Sequence, residues 1–81
     1  MTISETDLLE ILGRALDTDP ATLTMDTKAE DVPAWDSMGH LSVLVALDTR
    51  LEGKVNKIQE MAEANSVMAI SDLLKRNGLL K

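Results

Sequence analysis

Residues 35–47 read Trp-Asp-Ser-Met-Gly-His-Leu-Ser-Val-Leu-Val-Ala-Leu, and the character of the chain changes within this stretch. Asp36 is a good helix N-cap, because its carboxylate can accept a backbone amide that the first turn leaves unpaired. Met38, Leu41, Val43, Leu44, Val45, Leu47 and Leu51 then carry an apolar pattern to about Glu52, and Gly53 ends it. The apolar positions cover more of the circumference than a one-sided surface helix needs, so this helix is expected to be central.

Upstream, Ser4 and Asp7 have capping-box spacing, and Ile3 and Leu8 stand where a hydrophobic staple would close. They predict a first helix near residues 4–16 whose buried face is Leu8, Ile11, Leu12 and Ala15, widened by Leu9 and Leu16. Asp17-Thr18-Asp19-Pro20 breaks the pattern, and the chain to Trp35 reads as a long loop. Leu23, Met25 and Val32 interrupt that loop at intervals suited to packing on a core, so a packed connection is expected. A loop of this length in a small domain also invites a functional explanation.

Downstream, a short turn of helix is expected around Ile58 to Ala62. Ser66 caps a last helix with apolar positions Val67, Met68, Ile70, Leu73 and Leu74; Lys75 and Arg76 suit its C-terminal dipole, and Gly78 stops it. The expected fold is all-α: a small four-helix bundle of three main helices and one short one, with a long loop between helices 1 and 2. Residues 1–81 form one domain, without repeats or an interdomain linker.

Composition narrows the function classes. The chain of 81 residues has no cysteine, one histidine and, in Trp35, one aromatic residue. Disulfides and thiolate metal sites are thereby excluded, and the core must be aliphatic. A net charge of −6 argues against nucleic acid or an anionic membrane as partner and favours a basic protein surface. Residues 1–48 hold ten acidic and two basic side chains, a balance of −8; residues 49–81 hold four acidic and six basic, a balance of +2. The longest apolar stretch, Val43 to Leu47, is far below a membrane span. With no leader pattern in view, the expected location is the cytoplasm.

Ser37 is the residue with the clearest chemical prospect. The loop delivers its hydroxyl to a helix start, where unpaired amides and the positive end of the macrodipole favour a phosphate. Serine is also common at helix starts for purely structural reasons, so this position alone does not decide the matter.

Over nearly its whole length the sequence resembles the acyl carrier protein family, in its freestanding, specialised form. Asp36-Ser37-Met38 occupies the place of the family's Asp-Ser-Leu signature at the start of the second helix, and Trp-Asp-Ser-x-Gly-His-Leu looks like a variant of specialised carriers. The helix order and the long first loop match as well. The resemblance implies that a phosphopantetheinyl transferase attaches 4'-phosphopantetheine from coenzyme A to Ser37. The arm then holds an acyl group as a thioester, which meets the need for a thiol in a chain without cysteine. Asp36 would cap the helix and help engage the transferase, and Gly39 would leave room for the arm or an enzyme surface. Met38, Leu41, Val45 and Asp48 would form the strip read by partners, namely a loading ligase and acyltransferases or synthases. The carrier would be a monomer without catalytic activity of its own.

The sequence also departs from the family pattern. Gly39, Ser42, Thr49 and Arg50 stand where carriers of primary fatty-acid synthesis often have acids, and Lys54 and Lys57 follow. Because summed surface charge chooses partners, this favours a dedicated lipid or secondary-metabolite pathway. A D-alanyl or peptidyl carrier and an unmodified helical interaction module are the alternatives. A hydrolase built on Ser37 and His40 lacks a nucleophile elbow and a third orienting group. Asp36 and His40 are too few for a structural metal site. Val43, Leu47, Leu51, Ile58, Met61, Val67 and Ile70 read as plain core.

Overall fold

In the computed structural model, which describes residues 2–81, the first helix, α1, runs Glu5–Ala15 and starts with the expected reciprocal cap. The Asp7 amide donates to Ser4 Oγ at 3.1 Å, and the Ser4 amide donates to Asp7 Oδ2 at 3.0 Å. Ile3 and Leu8, the two staple positions, are both fully buried, as is Leu12. The helix ends where Asp17 turns to φ 51°, which lets the Thr18 amide reach back to the Gly13 carbonyl at 2.8 Å. A Cβ on Gly13 would lie 2.6 Å from Pro20 Cγ, so the absence of a side chain there allows the chain to fold back tightly.

Between Leu16 and Asp36 the backbone makes two 3₁₀ turns, Pro20–Thr22 and Ala29–Asp31. Asp19 caps the first by accepting the Ala21 amide at 3.0 Å. Leu23 is buried, and Met25 and Val32 pack half-buried against the core, as their spacing suggests. Trp35 is also buried, at 5% exposure, which the sequence pattern had not assigned.

Helix α2 runs Ser37–Arg50 with Asp36 as its N-cap. Val43 and Leu47, with Leu51 just beyond the helix, are fully buried, while Leu44 and Ala46 are half-buried. Val43, Leu47 and Leu51, expected as plain core, form the enclosed side of the helix. Met38, Leu41 and Val45 are 78%, 60% and 58% exposed, so the three apolar residues expected to form a partner-facing strip face water. The end of α2 differs in detail from the expected glycine stop. Glu52, at φ 57°, takes the left-handed position, and Gly53, at φ 83°, follows it and donates its amide to the Asp48 carbonyl at 2.8 Å.

Two further 3₁₀ turns, Val55–Lys57 and Gln59–Glu63, occupy the place of the expected short helix and bury Val55, Ile58 and Met61. Helix α3, Val67–Arg76, is capped by Ser66 Oγ, which accepts the Ala69 amide at 3.0 Å. Val67, Ile70 and Leu74 are buried, Leu73 is half-buried, and Met68 stands 45% exposed. Gly78, at φ 71°, closes the helix: its amide donates to the Lys75 carbonyl and the Leu79 amide to the Leu74 carbonyl. This is the reciprocal C-terminal motif that glycine favours.

Backbone pairs outside the helices then fix the layout. The Ile3 amide donates to the Leu79 carbonyl at 3.0 Å and the Lys81 amide to the Ile3 carbonyl at 2.9 Å, while Ala29 and Val67 amides join the first loop to the start of α3. These remain isolated bridges, and the described residues form no β-strand. The result is an all-helical fold around one core that is aliphatic except for Trp35, which the expectation of a wholly aliphatic core had left out. Its radius of gyration, 11.1 Å, is near the roughly 12 Å of a compact chain of this length. Among the described residues no helix is long and apolar enough to cross a membrane.

Candidate functional site

Ser37 is the first residue of α2 and is exposed, as is Asp36 before it. Asp36 Oδ1 accepts the Gly39 amide at 2.8 Å, and the Asp36 carbonyl accepts the His40 amide at 2.8 Å. The cap therefore satisfies the third helical amide, and the amides of Ser37 and Met38 are left without an intrahelical acceptor. A phosphate on Ser37 would meet those two amides and the helix dipole, with the Asp36 carboxylate as its nearest opposing charge. The geometry fits a phosphodiester on an exposed hydroxyl at a helix start.

Gly39 has a different role from the one its sequence position suggested. A Cβ there would collide with the Ala34 carbonyl oxygen and come within 3.0 Å of Leu16 Cδ2. The missing side chain makes room for the loop that precedes Ser37, not for an arm or an enzyme surface. The tight contact presses residues 34–36 onto the first turn of α2.

Met38, Leu41 and Val45 lie at i, i+3 and i+7 and form an exposed apolar stripe that begins beside Ser37. Asp48 continues the same face, but its carboxylate is engaged: Oδ1 accepts the amides of Val55 and Asn56 at 3.1 and 3.0 Å. It holds the start of the 3₁₀ turn at 55–57, a structural role that the sequence reading had not assigned to it. Between α2 and the two 3₁₀ turns lies a cavity of about 260 Å³, lined chiefly by Leu44, Val45, Val55, Ile58 and Met61. It starts about two helical turns from Ser37, or about 10 Å along α2.

The residues that the sequence reading left without a role are Trp35 and His40. Trp35 Nε1–H donates to His40 Nδ1 at 3.0 Å, and His40 Nε2 is 2.8 Å from the Met61 carbonyl oxygen. The rings incline by 21° with centroids 6.1 Å apart. A signal was present: the only aromatic and the only histidine of the chain stand five residues apart on either side of Ser37. Both ring nitrogens of His40 are occupied, so neither is turned toward the Ser37 hydroxyl.

Compared with protein-family models, curated proteins and solved structures, the chain matches none.

Proposed function

We propose that the chain is an acyl carrier protein that holds its cargo on a 4'-phosphopantetheine arm attached to Ser37 and presents it to enzymes of a dedicated pathway. The observation that carries this reading is the exposed Ser37 hydroxyl at the first position of α2, followed along the helix by the bare Met38–Leu41–Val45 stripe. On this reading the 3₁₀ turns at 55–63 stand for the short helix of a four-helix carrier bundle, and residues 16–36 are its long first loop.

The arm would supply the thiol that a cysteine-free chain lacks. The chain's own residues do the rest. Asp36 fixes the helix start, Gly39 lets the loop lie close, and the exposed stripe offers apolar contact to successive partners. The cavity between α2 and the 55–63 turns has the apolar lining to shelter part of an acyl chain. The engagement of both His40 nitrogens favours a tether over a Ser-His nucleophile.

Labelling with a fluorescent coenzyme A derivative and a broadly specific phosphopantetheinyl transferase tests the proposal. The wild-type chain is expected to become fluorescent, the Ser37→Ala variant to stay dark, and the Ser42→Ala variant to label as the wild type does. A wild-type chain that is folded yet never labelled would favour an unmodified interaction module.

A further inference from the structure

Trp35 and His40 are bonded in a way that admits one protonation state. An indole N–H only donates, and a main-chain carbonyl only accepts. With Trp35 Nε1 on Nδ1 and the Met61 oxygen on Nε2, the imidazole must be neutral and carry its proton on Nε2. An imidazolium has N–H groups on both nitrogens. A proton arriving at Nδ1 therefore sets two donors against each other and ends the Trp35 bond, while the bond to Met61 persists.

What that bond holds is the approach to Ser37. Trp35 is buried, its amide donates to the Val32 carbonyl at 2.9 Å, and the neighbouring Ala34 carbonyl rests on Gly39. The indole is thus the anchor of the segment that leads into the Asp36 cap, and His40 is the partner of its only polar atom. The elements that hold the imidazole carry Lys28, Glu30, Asp31 and Asp36 in the segment 28–36, Asp48 and Arg50 in α2 itself, and Glu60 and Glu63 in the 59–63 turn. The ion pairs among the described residues are Arg50 with Asp7 and Lys75 with Glu5, so none of these carboxylates pairs with His40.

We propose that neutral His40 is a positioning residue that clips Trp35 to the first turn of α2 and sets the posture of the loop presenting Ser37, and that uptake of one proton releases the clip. The link to modification rests on the carrier reading; the clip itself does not.

The test is an NMR titration of the unmodified, ¹⁵N-labelled full chain, in which one indole and one imidazole give unambiguous signals. Expected is the Nε2–H tautomer at high pH. On acidification the Trp35 Nε1–H resonance should shift with the same one-proton midpoint as His40 Nδ1, accompanied by amides of residues 35–40. In His40→Gln, the indole resonance should be independent of pH over that range. A high-pH Nδ1–H tautomer, an indole signal that ignores the imidazole titration, or an indole that titrates equally in His40→Gln would each overturn the proposal. Should the Gln variant not fold, the wild-type tautomer and coupled midpoint decide alone. No transferase is involved, so failure here leaves Ser37 modification standing, and absence of modification leaves the titration intact.

Discussion

Asp48 Oδ1 accepts the backbone amide of Val55 at 3.1 Å across the bend that follows α2. The same oxygen takes the Asn56 amide, so one carboxylate organises the turn that forms a wall of the apolar cavity. Removing it in Asp48→Ala leaves the buried Val55 amide without a partner, at a loss of about 1–3 kcal/mol. Asp48→Asn, which keeps an acceptor, should lose less. Urea denaturation midpoints check this order; equal midpoints for wild type and Asp48→Ala would return Asp48 to a purely partner-facing role.

Gly39 supplies a second prediction. A methyl group there meets the Ala34 carbonyl and Leu16, and such overpacking typically destabilises by about 1–3 kcal/mol. Gly39→Ala should therefore lower the denaturation midpoint and disturb Trp35 emission, since the loop must lift from the helix. An unchanged midpoint and spectrum would show that the loop does not lie as described.

Glu52 occupies a left-handed backbone position, φ 57°, in which a β-carbon is unfavourable. Glu52→Gly should raise stability by up to about 1 kcal/mol, the gain from relieving this conformation exceeding the added chain entropy. The shift in thermal or urea midpoint reads it directly.

Asp7 gives the pH dependence a definite sign. The hydrogen bonds from the Ser4 backbone and side chain, assisted by Arg50 and Lys81, hold its carboxyl below the ordinary value of 3.8. A value lowered by folding means that the contribution is fully present above the unfolded value and fades as pH falls through the folded one. Asp7→Asn does not titrate, so its stability should change less with pH than the wild type in the acid range below about pH 4. Urea midpoints measured across that range provide the comparison.

These cases show which parts of the molecule were legible in the sequence. Caps at Ser4, Asp36 and Ser66 and the glycine stop at Gly78 are local chemistry, decided within a few residues, and the backbone follows them. Leu23, Met25 and Val32 were recognisable as packed loop residues for a similar reason. On α2 the helical period already separates Met38, Leu41 and Val45 from Val43, Leu47 and Leu51, and the first set is exposed and the second buried. How far the 55–63 turns come to cover Leu44 was not legible there. Gly39 looked like open space for a visitor, but its neighbour is the Ala34 carbonyl, a contact made by chain reversal. The His40 bond to Met61 spans 21 residues and obeys no periodic rule.

The central claim is that Ser37 accepts the arm. Its most direct test is the intact mass of the chain after coexpression with a phosphopantetheinyl transferase, with fragmentation to locate the added group. The account predicts a gain of one phosphopantetheine unit, placed on Ser37 and absent from Ser37→Ala. A folded chain of unchanged mass, or a gain that survives the Ser37→Ala substitution, would contradict it.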